Sequence, residues 1–426
     1  MSLADEAVAR IDRNELIELA LTICNIDSSG PTEGPVGGYI YDWLKKEGFK
    51  ARKVGLMADR FNVLGKLPGT GGGYSLLFNS HLDTAVRWED VWSRKDPRAD
   101  IYHKAWVEED RLVGEGIVND KGPMAAFLIA AKALKAAKIS LKGDLLLTAV
   151  IAETSAESGE EPGVVQETHD LGARYLVTHG GVADYALIAE GTGFSIVSVE
   201  AGMASFKISW ISDRRGYYTP YLSDRTTMRE SPNMIVRAAV AIEALENWAA
   251  AYQKKYAFES SGGPVIPKAQ VGAIRSGDFA HGSHSPEVCS LSLGVFTVPN
   301  QDPLELKEEI EGVLRAAGVP PTEVELYHFR RGYEARNTGR LTEALLQAHM
   351  ATFRAKPPAP NPATCSMWRD INIFNEVGIP AITYGPRSEM YPFENSLTID
   401  SLYKAACVYA RTMVDICNQE KPLRKA

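Results

Sequence analysis

Apolar residues recur along this chain with two different periods. Leu16, Ile17, Leu19, Ala20 and Ile23 fall on one face of a helix that Asn14 can cap, and the Gly/Pro/Ser-rich stretch 27–38 breaks it. A second helix over about 39–47 stops at Gly48. β-like runs follow at 61–67, 74–79, 144–152 and 185–189, with a strong helical run, 122–138, lying among them. Strands alternating with helices predict an α/β domain.

From Ala201 onward the pattern changes. The stretch 204–211 alternates, 233–256 reads as one long amphipathic helix, 288–298 is strand-like and 303–317 is helical. A smaller α+β insertion over 201–321 is expected, set into an α/β domain made of 1–200 and 322–426. The chain resumes its first texture with a helix near 341–354, a strand-like 380–384 and a last helix over 399–417, while the Pro-rich 356–362 is a loop.

At 426 residues the chain exceeds one ordinary core, which agrees with two domains. A formal charge of −8, with 45% hydrophobic and 23% charged residues, describes a soluble globular chain without the basic face that nucleic acid requires. Five cysteines, at 24, 289, 365, 407 and 417, form no Cys-x-x-Cys pair, so neither a disulfide framework nor a thiolate zinc site is indicated. Acids and an arginine interrupt the first twenty residues where a signal peptide needs an apolar stretch, and no apolar run reaches membrane-spanning length. A cytoplasmic location is expected.

Three ionisable residues follow β-like runs directly: His81, Glu153 and Glu190. In an open α/β sheet the carboxyl ends of the strands are where ligands bind, so a histidine and two carboxylates there suit a nitrogen/oxygen metal site with a carboxylate left for acid/base work. Taken singly, each is as readily a polar residue at a loop edge. Asp83, two residues past His81, is placed to hydrogen-bond the imidazole and fix its tautomer, or else to cap the following turn. The segment 114–123 leads into the 122–138 helix and puts Asn119 and Asp120 at a tight turn facing the same cleft.

His81-Leu82-Asp83-Thr84, the Gly-rich 114–122, Ala189-Glu190-Gly191-Thr192, Ser231-Pro232-Asn233 and the stretch from Met367-Trp368-Arg369-Asp370 to Tyr384-Gly385-Pro386 occur in an order that resembles a known family. It is the M20-like metal-dependent amidohydrolases, which include aminoacylases, glutamate carboxypeptidases, acetylornithine deacetylase and succinyl-diaminopimelate desuccinylase. The resemblance implies a zinc-exopeptidase-like catalytic domain, a mixed sheet flanked by helices, with an inserted ferredoxin-like α+β domain through which two copies pair. It also implies metal ligands at His81 and Glu190 and a general base at Glu153. Typical members bind two ions, but here the bridging aspartate falls on Asn119, the second ion's carboxylate on Thr154 and its histidine on Tyr391. One divalent ion per chain, manganese or zinc, is therefore expected, with Asn119 and Asp120 both open as the third ligand. Glu160-Glu161 remains an alternative for the family's Glu-Glu pair.

Tyr218 stands where the family's trans-acting histidine falls, and Gly294-Val295-Phe296 replaces its carboxylate-binding Asp-x-Arg pattern. Arg214, Arg215, Arg369 and Arg387 are the candidates to hold a substrate acid, against a default of solvated surface charge. His281 and His284 lie in a Gly/Ser-rich loop, exposed or aimed at the cleft. The expected activity is hydrolysis of a C–N bond in a small-molecule substrate. Tyr217, Tyr218, Phe296 and Tyr391 suit a flat aromatic amine that loses ammonia. The alternatives are an N-acyl-amino-acid deacylase or dipeptidase, and a non-catalytic scaffold derived from such a hydrolase.

Overall fold

The structure is a computed structural model that describes residues 2–29, 32–55, 57–85, 99–154, 171–212, 216–222, 224, 227–387 and 395–422. It divides into two compact units, one made of 1–198, 335–361 and 369–426, the other of 199–334 and 362–368. The second unit runs past the expected limit of 321 because Glu323–Arg330 forms a strand along Gly202–Ile211.

The first unit is built on a six-stranded mixed sheet in the order Lys50–Val54, Asn62–Leu67, Leu145–Val150, Leu76–His81, Tyr185–Ile188, Ala381–Thr383. The first two joins are antiparallel and the other three parallel. Every residue of Leu76–His81 and Leu145–Val150 is buried, as in strands covered on both faces. The Ala-rich helix Lys121–Ala136 packs on Ile399–Asn418 and Arg13–Cys24, and small side chains on both surfaces (Ala126, Ala130, Ala406, Ala410) let the backbones approach closely. Asp12, not Asn14, caps the Arg13–Cys24 helix, its carboxylate accepting from the amides of Asn14 and Glu15. The helix at Gly34–Lys46 begins inside the segment expected to be a loop.

The second unit is an α+β layer. Its four-stranded antiparallel sheet runs Lys268–Ser276, Val288–Thr297, Gly202–Ile211, Glu323–Arg330. Alternate residues Ala204, Phe206, Ile208 and Trp210, with Cys289, Leu291, Leu293 and Val295, share a core with Met234–Lys255 and Pro303–Ala316. No helix among the described residues is long and apolar enough to cross a membrane. All five cysteines are buried and free.

One close approach ties the first unit's sheet to the neighbourhood of Glu153. Gly172 lies on the helix Leu171–Thr178 where an added Cβ would stand 2.1 Å from the Ile151 carbonyl oxygen and 2.8 Å from Asn62 Oδ1. Gly172→Ala is expected to destabilise the protein by about 1–3 kcal/mol through overpacking, read as a lower urea midpoint.

Candidate metal centre

The parallel pairing of Leu76–His81 with Leu145–Val150 on one side and Tyr185–Ile188 on the other sets three carboxyl ends beside one another. Pairing continues past the strands: Leu82 N–H donates to the Val150 carbonyl at 2.7 Å and Ala189 N–H to the Asn79 carbonyl at 2.8 Å. His81, Glu153 and Glu190 are thereby brought together, with ligand-type atoms all within 4.8 Å of one another, and all three are buried. His81 Nε2 lies 3.8 Å from Glu153 Oε2, 4.0 Å from Glu190 Oε1 and 3.2 Å from Asn119 Oδ1.

The tautomer follows from the other ring nitrogen. His81 Nδ1 is 2.9 Å from the main-chain carbonyl of Asp83, which can only accept, so Nδ1 keeps its hydrogen and Nε2 is the nitrogen left to take a proton or an ion. The Asp83 carboxylate, expected on the imidazole, stands 3.7 Å from Nδ1 and works elsewhere. It accepts from Glu153 N–H at 3.1 Å, Thr154 N–H at 2.6 Å and the Thr154 hydroxyl at 2.7 Å. The two preceding amides are also captured by side chains, Ile151 N–H by Asn62 Oδ1 at 3.0 Å and Ala152 N–H by Glu33 Oε1 at 3.2 Å. Four successive amides past the strand end are thus fixed from three other segments.

Asn119 and Asp120 separate in role. Asn119 turns its carbonyl oxygen to His81, whereas Asp120, fully buried, accepts from the Ser80 hydroxyl at 2.6 Å and stays out of the three-residue group. Arg369, expected as a substrate-binding or surface charge, is buried with Nε 3.3 Å from Glu190 Oε1 and Nη2 donating to the Gly191 carbonyl at 3.2 Å. Asp370 accepts at 2.9 Å from Nδ2 of Asn79, a buried residue of the strand Leu76–His81. Arg387 is half-buried and packs over Gly191. Tyr218 and His284 belong to the second unit, where they pair by an isolated bridge with ring centroids 5.2 Å apart, both exposed. Arg214, Arg215, Tyr391, Glu160 and Glu161 lie outside the described residues.

The field at this edge is strongly acidic. Burial opposes a charged His81, but Glu153, Asp83, Glu190 and Asp370 outweigh it and raise its pKa to about 9. Burial pushes the Asp120 carboxyl well above the usual carboxylate range against the Ser80 hydrogen bond, and raises Glu190 in the same way against the pull of Arg369. Without an ion, protons on Nε2 and among the carboxyls balance this field; an ion taking their place would meet Nε2, Glu190 Oε1, Asn119 Oδ1 and Glu153 Oε2. A divalent cation fits such a donor set, since it replaces those protons by coordination and compensates the buried charge.

Sequence reasoning missed Glu33, Arg60, Asn62 and Ser80. Asn79 and Ser80 carried a signal, as polar residues inside the buried run before His81. Glu33 and Asn62 carried none locally, because their partners are 119 and 89 residues away.

The chain matches the model of Peptidase family M20/M25/M40 over residues 77–415 and belongs to that family. It is 34% identical over 191 residues to the N-formyl-4-amino-5-aminomethyl-2-methylpyrimidine deformylase of Bacillus subtilis, a match covering 43% of this chain and 40% of the relative. The match therefore spans well under half of that relative's length. Among solved structures, an M20 family metallo-carboxypeptidase from Sulfolobus solfataricus superposes with a TM-score of 0.69 at 17% identity, covering 94% of this chain and 99% of that one. A dinuclear metal-binding M20 peptidase from Bacillus subtilis gives 0.61 at 14% identity, covering 95% and 98%. Both show the same fold.

Asp83→Ala would leave three donors without an acceptor at a position that is fully buried. A loss of about 1–3 kcal/mol for each unpaired buried donor is expected, measured by urea unfolding, and Asp83→Asn, which keeps one acceptor oxygen, should lose less.

Proposed function

We propose that this chain hydrolyses a C–N bond in a small molecule, with one divalent ion, manganese or zinc, held by His81, Glu190 and Asn119 and with Glu153 as general base. The observation that carries this reading is the convergence of His81 Nε2 and three side-chain oxygens at the carboxyl edge of the sheet. Bound there, a divalent ion supplies Lewis acidity, which makes water a competent nucleophile at neutral pH. Glu153 takes the proton of the attacking water and returns it to the departing nitrogen. Its aim is held from behind by Asp83, and Arg369 keeps Glu190 oriented through their ion pair.

A single ion is favoured by what stands in place of a second ligand set. Thr154 commits its hydroxyl to Asp83 at 2.7 Å, and Arg369 brings a fixed positive charge to Glu190, so the second ion's carboxylate position offers no charge and part of the acidic field is already compensated. The same departures favour a substrate other than a peptide. Hydrolytic deamination of an aromatic amine, the reaction class of the family member 5-nitroanthranilate aminohydrolase, is the specific assignment. The second reading, an N-acyl-amino-acid deacylase or dipeptidase, draws support from the deformylase likeness.

Glu153→Gln should lower kcat by about 10²–10⁴-fold while keeping one equivalent of metal, and His81→Ala should lose the metal, both read by metal analysis beside turnover assays. Ammonia release from aromatic amines supports the first reading and carboxylic acid release the second. Protein with no metal and no product would be a scaffold, and two equivalents would sink the one-ion reading.

The second unit exposes Ile211, Ile235, Ile274, Val288 and Phe279, apolar surface that suits pairing of two copies. Light scattering should give twice the chain mass. Phe279→Asp should lower it, and a monomeric wild type would refute the pairing.

A further inference from the structure

Glu33 occupies the N-cap position of the helix Gly34–Lys46, yet its side chain makes no capping hydrogen bond. Its carboxylate turns inward instead, completely buried, to a two-pronged pair with Arg60, Nε to Oε2 at 2.8 Å and Nη2 to Oε1 at 2.9 Å. Such a fork fixes the plane of the carboxylate. The helix start is pressed so close to the later segment before the strand Asn62–Leu67 that a Cβ on Gly34 would stand 1.9 Å from the Asp59 carbonyl oxygen.

Oε1, already held by Arg60, also accepts from Ala152 N–H at 3.2 Å. Ala152 has φ +58°, the left-handed conformation that an alanine adopts only where its surroundings impose it. The next residue is Glu153. The direction in which Glu153 leaves the strand end therefore depends on a backbone state that Glu33 secures on one side and Asp83 on the other.

We propose that Glu33, clamped by Arg60, is a positioning residue for Glu153: it holds Ala152 left-handed so that the Glu153 carboxylate meets the attacking water at a fixed angle. The proposal rests on Glu153 being the general base. It assigns the buried ion pair a task in turnover beyond its share in stability, since an error of about an ångström in a reacting group costs on the order of 10²-fold in rate.

Two conservative variants separate these tasks. Glu33→Gln keeps a carbonyl acceptor at the same reach and loses the charge, whereas Glu33→Asp keeps the charge beside Arg60 and withdraws the acceptor by one methylene. If the acceptor matters, Glu33→Asp lowers kcat by about 10–100-fold with KM little changed, and Glu33→Gln lowers it less. Amide hydrogen exchange at 151–154 should quicken more in Glu33→Asp than in Glu33→Gln, and both variants should keep the wild-type metal content. The reverse order, in kcat or in exchange, would make the pair purely structural and overturn the proposal, as would wild-type kcat in Glu33→Asp. If Glu153→Gln is as active as wild type, the general-base reading fails instead, and the exchange measurement still reports on the Ala152 turn.

Discussion

Asp83 joins two strand ends with two different parts of itself. Its main-chain carbonyl takes the Nδ1 hydrogen of His81 and so turns Nε2 toward the carboxylates; its carboxylate takes the amides of Glu153 and Thr154. A candidate metal ligand and a candidate base are thereby referenced to one residue. Their separation, 3.8 Å between Nε2 and Oε2, is set by covalent geometry plus a few short hydrogen bonds among buried side chains. Side chains held this way need little reorganisation when a substrate arrives.

The same edge concentrates buried carboxylates: Asp83, Asp120, Glu153, Glu190 and Asp370, with Arg369 the buried guanidinium that meets Glu190. Left alone, such a cluster opposes folding, because each charge loses its hydration. Part of the cost is offset by hydrogen bonds from Ser80, Asn79 and Thr154. The remainder is what a bound cation would offset. Stability and ion binding at this centre are therefore two aspects of one electrostatic balance.

The fold class and the residues at the strand ends were legible because both write themselves locally. Long apolar runs announce buried parallel strands, and the first ionisable residue after such a run is already at the ligand edge, which is how His81, Glu153 and Glu190 are found. The strands Lys268–Ser276 and Glu323–Arg330 were not legible: both are edge strands of the second unit's sheet, half wet and broken by register shifts, so their apolar alternation is weak. Arg369 was legible as a candidate arginine, but arginine is exposed by default, and only the fold reveals the carboxylate beside which it is buried. Asp83 was placed beside the right histidine, but which of its oxygens does the work depends on where Glu153 arrives, 70 residues later.

The parallel arrangement of the three central strands also orders events in time. Parallel neighbours cannot be closed by a tight hairpin, so each join must wait for a crossover segment to fold and dock. His81 meets Glu153 only after the first such crossover and Glu190 only after the second. An ion that needs all three residues is consequently a late arrival that selects the finished sheet. Its effect falls on how long the native chain survives, because an ion that binds only the assembled edge slows departure from it in proportion to metal supply.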